Sequence, residues 1–530
     1  MRYYYVAVAI IGFSASLAFA AIDRGPYLQP TADMETAVGI AWRTTTASAG
    51  TVRYGISDVT EHSASTASGT HHYITLTGLS AGMVYKYQII CGGETTPVYS
   101  FRTSSDTDER RCILLSDVHA ISSNESVWNN RQAAMMADML SYDPDIVIIT
   151  GDLVENGGVV ADWELFFTTY KELLATAILM PLYGNHEAYV IPDGIDNFKN
   201  AFYLPENAPS GDEELSYYAD YGGIRWVMIA YLEEHYDLAW LNTTMANAFI
   251  DNRFLIGGKH HPIYLSCAYD DEMADNCAGW KASMLPLLEA NGMDIFLNGH
   301  RHLHHRSYPL DQDYPVPSPD SDHPYGTGWG GLTTTETENY QDYDGVIHIE
   351  LQSTYYQKDG AIYQRPHIAS VGPESGDDGK TWIGYSTITV VGAVLTYDAY
   401  SYSADGAIKK RAIDHFIIDK SGASRISGRI TASGSGLAGV KVSLNETQFG
   451  ITNTSGEYVI PAVINGSYVI TPSKNGYVFD PSSRTVSVAD ADATGIDFSA
   501  VSSGGGTITL QNGLDGYLGV QDNQIGRAHV

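Results

Sequence analysis

Cys112-Ile113-Leu114-Leu115-Ser116-Asp117-Val118-His119 is a short apolar run that ends in a carboxylate and an imidazole two residues apart. It reads as a buried strand followed by a polar loop, and the arrangement recurs along the middle of the chain. Asp145 to Thr150 leads into Gly151-Asp152, and Ile178 to Tyr183 leads into Gly184-Asn185-His186-Glu187. Phe254 to Gly257 precedes His260-His261-Pro262, and Asp294 to Leu297 precedes Gly299-His300-Arg301-His302. A further strand is expected over Arg225 to Tyr231. Val127 to Leu140 and Trp163 to Ala175 carry apolar residues at helical spacing, so residues 104–420 read as an α/β unit. Loops at the carboxyl ends of strands in such a sheet converge, which brings the five polar clusters towards one site.

Each cluster alone has an ordinary reading as a turn or a helix cap. Five of them in this order do not. Carboxylates, an amide oxygen and imidazoles together suit Mn, Zn or Fe, whereas a dedicated magnesium site uses mostly oxygen.

In order and type the clusters resemble the signature of calcineurin-like metallophosphoesterases. The resemblance implies a four-layer α/β/β/α sandwich and two metal ions: Asp117, His119 and His302 on the first, Asn185, His260 and His300 on the second, and Asp152 bridging them. One carboxylate can hold two metals roughly 3.5 to 4 Å apart, the spacing that clamps attacking and leaving oxygens in line. A metal-bridging hydroxide is the expected nucleophile, because coordination lowers the pKa of bound water. By the same resemblance His186 binds phosphate or acts as general acid, and Arg306 is structural. His261 could exchange roles with His260. His304 and His305 are expected to be solvated loop histidines, and His71 and His72 to have no catalytic role.

Purple acid phosphatases place a tyrosine ligand three residues after the bridging aspartate, where this chain has Glu155, and they lack the histidine found here as His119. The expected protein is therefore colourless, with Glu155 an ordinary loop residue or one lying behind the ligands.

The flanking regions change texture. Residues 21–103 alternate in short runs such as Val38 to Trp42 and Val84 to Ile89, which argues a small β-sandwich. Leu76 to Gly82 followed by Tyr85 and Tyr87 resembles a fibronectin type III domain, and Arg24 to Gln29 resembles the opening of the domain that precedes the catalytic unit in purple acid phosphatases. Residues 421–500 read as a second β-sandwich, with Asn453 to Tyr458 and Asn475 to Tyr477 as turn-then-strand units. It resembles carboxypeptidase-regulatory-like modules, expected to act as a spacer or as an attachment to an extracellular polymer or cell surface. The chain thus reads as α/β plus all-β.

Residues 1–20 describe a secretory signal peptide: Arg2, an apolar stretch from Val6 to Phe19, and Ala18-Phe19-Ala20 as cleavage site. A secreted, periplasmic or cell-surface protein without a transmembrane span is expected. Cys267 and Cys277 could close a disulfide loop in that setting, with Cys91 and Cys112 a weaker pair. Residues 501–530 open with a Ser-Gly linker and a new strand. Their end, Ile525 to Val530, can be encoded by a sequencing adapter, so a further domain is expected beyond a truncated frame.

With 62 acidic and 30 basic residues the formal charge is −32, which disfavours nucleic acid as a partner except as substrate. The expected reaction is hydrolysis of a small-molecule phosphate monoester. The alternatives are a phosphodiesterase or nucleotide-cleaving enzyme on the same site, and a polymer-binding protein whose central domain is inactive.

Overall fold

The structure, a computed structural model, describes residues 21–503 except 106–107, 189–192, 232–236, 265–278, 281, 311–337, 342–344, 357–367, 373–380, 406–409, 423, 445–448, 464 and 490. The expected signal peptide, the Cys267 and Cys277 pair and the start of a further domain lie outside the described residues.

Two sheets dominate. One has ten strands, with Glu109–Leu115, Ile146–Ile149 and Ile178–Pro181 side by side near its middle. These three run parallel, in a register that sets Ile146 beside both Cys112 and Ile178. The other has seven strands, among them Ile224–Ile229, Phe254–Lys259 and Ile295–Asn298, also parallel to one another. All six strands are buried along their length, as near-continuous apolar runs in a parallel sheet should be. Only Glu109 and Arg111, at the edge of the first, reach solvent.

Alternation along the seven-stranded sheet shows how the layers stack. Trwo faces carry different partners: Trp226, Ile256, Ile295 and Leu297 join the core that contains the ten-stranded sheet, whereas Val227, Leu255 and Phe296 face a second core with Leu241, Phe249 and Leu288. Those last residues come from helices Leu238–Ala246, Ala248–Asp251 and Leu285–Ala290. Helices Glu125–Ser141 and Val160–Thr169 bury Trp128, Met135, Trp163 and Phe166 in the first core. The result is the expected order of helix, sheet, sheet, helix. Each fully buried large apolar side chain contributes about 1.5–3 kcal/mol relative to exposure.

The first β-sandwich is joined to this unit by hydrogen bonds. Its strand Ile22–Gln29 runs parallel to Ile178–Pro181, with Leu28 beside Ile178, so one sandwich sheet continues the ten-stranded sheet. Trp42 is buried there, its ring 4.8 Å from that of His72. His72 Nδ1 and Nε2 face Thr66 and Thr44 hydroxyls at 3.0 and 3.3 Å, which makes it a core histidine. His71 stays exposed.

The last β-sandwich has its own core, including Ile430, Val442, Ile460 and Phe498, and touches the α/β unit through Val459. Cys91 and Cys112 are both buried and unpaired, which corrects the weaker disulfide expectation: one sits in the first sandwich and the other in the central sheet.

Candidate metal centre

All five clusters sit just past the carboxyl ends of their strands, and the two sheets contribute different chemistry. The ten-stranded sheet brings Asp117, His119, Asp152 and Asn185; the seven-stranded sheet brings His260, His300 and His302. Asp117, His119, Asp152, Asn185, His260 and His302 are all buried.

Backbone geometry concentrates here. Of the eight non-glycine residues with positive φ among those described, five are Asp117, His119, Asp152, His300 and His302. Such conformations cost about 1–3 kcal/mol each and persist where surrounding contacts over-determine them. Those contacts are visible: His119 N donates to Asp152 O at 2.9 Å, and His300 N donates to Asp117 Oδ2 at 2.9 Å. A glycine allows the second contact. A Cβ on Gly299 would lie 1.9 Å from Ser116 Oγ and 2.7 Å from Asp117 Oδ2.

Three histidines are aimed by backbone carbonyls. His260 Nδ1 lies 2.7 Å from Thr150 O, His302 Nδ1 3.0 Å from Tyr356 O, and His186 Nδ1 2.6 Å from Glu155 O. A carbonyl only accepts, so each Nδ1 carries the proton and each Nε2 presents a lone pair when the ring is neutral.

Those lone pairs meet other acceptors. His302 Nε2 is 3.1 Å from His119 Nε2 and 3.2 Å from Asp117 Oδ1. His260 Nε2 is 3.0 Å from Asp152 Oδ2 and 2.9 Å from Asn185 Oδ1, and His300 Nδ1 is 3.0 Å from that same Asn185 oxygen. With the rings neutral, acceptors at these distances repel unless a proton or a metal ion lies among them. The residues therefore fit the two metals expected, in two groups, with Asp152 Oδ2 also 3.8 Å from His119 Nε2. Groupings of candidate ligand atoms within 4.8 Å of one another include Asp117 with His119 and His302, and Asp117 with Asp152 and His260.

The charge balance favours cations. Burial works to lower the pKa of His260, but the carboxylates of Asp152 and Asp117 outweigh it and raise it to about 9. Burial works the other way on Asp152, and His260 beside it holds its carboxyl well below the usual range.

His186 stands with Nε2 3.9 Å from Asp152 Oδ2 and its side chain 17% exposed, so it and the half-buried His300 are the imidazoles of this group that a substrate can reach. His261 is buried and adds a third imidazole to His260 and His300. Its rings neighbour Tyr231 and His300 at 4.6 and 3.9 Å.

His304 and His305 depart from expectation. Both are buried, because the chain turns there into the strand His305–Leu310, and each meets a carboxylate: His304 Nε2 lies 3.1 Å from Asp414 Oδ2, and His305 Nδ1 3.2 Å from Glu350 Oε2. Arg306 forks onto Asp414 through Nε at 2.8 Å and Nη2 at 2.9 Å, a structural role as expected.

Sequence reasoning passed over Glu187. Its buried carboxylate accepts four backbone N–H groups, from Asp152, Leu153, Val154 and Gly184, at 3.1, 2.8, 3.2 and 2.9 Å. It pins the Asp152 loop to the Asn185 turn. An acidic residue inside an otherwise buried motif was the available signal.

Fold and site together define a calcineurin-like metallophosphoesterase domain, and residues 110–304 match the family described as calcineurin-like phosphoesterase. Residues 24–103 match the purple acid phosphatase N-terminal domain, so the chain carries that pair of domains in sequence. Its distant homologues include purple acid phosphatase 18 of Arabidopsis thaliana, 25% identical over 249 residues, which are 45% of this chain and 54% of the relative. Purple acid phosphatase 22 of the same plant is 23% identical over 250 residues, again 45% and 54%. The chain thus spans about half the length of these curated relatives.

Among solved structures, purple acid phosphatase PPD1 from yellow lupin (Lupinus luteus) seeds superposes with a TM-score of 0.56 at 16% identity, covering 75% of this chain and 74% of that one. PhoD superposes at 0.52 with 12% identity, covering 75% and 93%. These two show the fold. Residues 424–502 match the family described as BOS complex subunit NOMO1-like, second beta sandwich domain.

Proposed function

We propose that this protein is an exported, dinuclear-metal phosphatase that hydrolyses phosphate monoesters of small molecules. The observation that carries the reading is the pair of converging acceptor groups joined at Asp152. Asp117, His119 and His302 would hold one ion, Asn185, His260 and His300 the other, and Asp152 both. Mn, Zn or Fe suits this mixture of nitrogen and oxygen donors. When bound, such a pair supplies Lewis acidity and a water of lowered pKa.

The protein's own groups do the rest. His186, tethered through Nδ1 to the Glu155 carbonyl, presents Nε2 to a phosphoryl or leaving-group oxygen. Glu187 and the close Gly299 contact hold the loops in place before substrate arrives, which is where positioned electrostatics derive their effect. The phosphatase names of the relatives support monoesters over diesters. A complete donor set weighs against a polymer-binding protein with an inactive centre. Export rests on the apolar, positively charged N-terminus, and attachment to a polymer or surface through the last β-sandwich remains part of this reading.

The test is the initial rate of Mn-loaded protein on matched aryl monoester and diester substrates. Faster monoester turnover is expected. A diester preference would transfer the assignment to phosphodiesterases, and no turnover of either despite bound metal would favour the binding-protein alternative.

A further inference from the structure

We propose that the Glu155 side chain is a positioning residue for His119, fixing the ring so that Nε2 faces the ion shared with Asp117 and His302. The proposal rests on the two-metal reading above. His260, His302 and His186 are aimed by backbone carbonyls that no substitution removes. His119 is aimed differently: its Nδ1 lies 3.0 Å from Glu155 Oε2, a side-chain carboxylate. The contact is close without being well aligned, as polar contacts in such sites often are before their ligands bind.

The backbone brings these two groups together whatever their side chains do. His119 N donates to Asp152 O, Ala120 N to Leu153 O and Glu155 N to Ala120 O, at 2.9, 3.0 and 3.0 Å, so the two loops are zipped side by side. With the carboxylate present, Nδ1 keeps its proton and Nε2 its lone pair, 3.1 Å from His302 Nε2. A carboxylate behind a ligand imidazole also raises its basicity, and removing such partners typically lowers metal affinity about 10–100-fold. Without it, no other described residue holds the tautomer of this buried ring. The Glu155 side chain is itself 36% exposed, so truncating it leaves no large internal void.

This gives the position a role of its own. The carboxylate of Glu155 acts on the site through the His119 imidazole in front of it.

The experiment is a titration of metal-free full-length protein with Zn or Mn in the presence of a competing chelator, on wild type, Glu155→Ala and Glu155→Gln. The Ala variant should weaken one of two sites about 10–100-fold and leave the other within about threefold, while Gln, which keeps an acceptor oxygen, recovers most of the loss. Turnover at fixed metal should fall in step with occupancy of the weakened site. Equal affinities in wild type and Ala would overturn the proposal, as would equal weakening of both sites. Three ions per chain in wild type, with one lost in the Ala variant, would overturn it by making Glu155 a ligand in a separate site with His119 and His186. Wild type that binds no metal would sink the two-metal reading itself, an outcome distinct from the others.

Discussion

The ten-stranded and seven-stranded sheets are alike in their parallel, buried strands and unlike in what they deliver. One brings both carboxylates and the amide, with His119 as its one expected ligand histidine and His186 beside it; the other brings only imidazoles. Neither holds a complete group of donors for either proposed ion. His302 has to cross to Asp117, and His260 to Asp152 and Asn185. The difference teaches that the site is a property of the packing of two sheets and not of either one. The oxygen-rich half sets the negative charge, and the imidazole half would complete the coordination of the proposed ions. Breaking this division of labour should show up first in chemistry, then in stability.

The largest expected effect comes from the residue at the seam. Asp152→Asn keeps the shape but removes a charge that faces His260 at 3.0 Å and His119 at 3.8 Å. Monoester turnover should fall about ten-thousandfold in kcat/KM, or ~5.5 kcal/mol of transition-state stabilisation. Initial rates at matched metal occupancy check it. A variant retaining more than a tenth of the rate would mean the two halves work without a shared carboxylate.

Next comes the tie between the sheets away from the metals. Arg306, on the seven-stranded sheet, and Asp414, on the ten-stranded one, form a buried bidentate pair, with His304 on the same carboxylate. Asp414→Ala would strand the guanidinium and should cost about 3–5 kcal/mol in urea unfolding. Burial works to raise the Asp414 carboxyl, but hydrogen bonds from Arg306 and His304 hold it well below the usual range. Its folded pKa is therefore depressed. The stability it contributes is present above the unfolded value of about 3.9 and is lost as pH falls towards the folded one. The wild type should lose more stability than the variant on that acid limb. Parallel acid limbs would show that the pair does not link the sheets energetically.

Much of this arrangement is legible in local sequence, because a strand ending in a ligand leaves its mark within a few residues. Cys112 to His119 shows both the buried run and the donors, and the same holds for the Asp152, Asn185, His260 and His300 segments. What local pattern cannot show is contact across the fold. Nothing near His304 indicates that Asp414 waits 110 residues on, so the histidine looks like a solvated loop residue and is instead buried. Leu28 beside Ile178 likewise fuses two regions that read as separate domains. Positive φ at Asp117 and His119 is equally silent, since no glycine marks it. Glu187 lies within a legible motif, but three of its four N–H partners come from the Asp152 loop, brought to it only by folding.

A smaller change tests the closeness of the seam. Gly299→Ala would force a methyl group into Ser116 and Asp117 across the sheets, and the loop carrying His300 and His302 would have to move. A displacement of roughly 1 Å in such a site can cost about a hundredfold in rate, or ~2.7 kcal/mol. Circular dichroism should show the fold retained while turnover drops. Unchanged turnover would show that the loop can yield without losing its ligands.

The smallest effect is expected one residue beyond the strongest tie. His415 follows Asp414 on the same strand, but its partner Asp398 lies within the same sheet; their Nδ1 and Oδ1 atoms are 2.8 Å apart, with side chains 52% and 30% exposed. Water screens such a pair and its side chains give up freedom to form it, so Asp398→Asn should change stability by less than about 1 kcal/mol. Added salt should shrink even that difference, unlike the loss at Asp414. The two variants sit on neighbouring strands of one sheet and differ in whether the removed carboxylate reaches the other sheet. A loss at Asp398 as large as that at Asp414 would locate the energy within the ten-stranded sheet itself, and the contrast between the sheets would then describe where ligands come from without describing what holds them together.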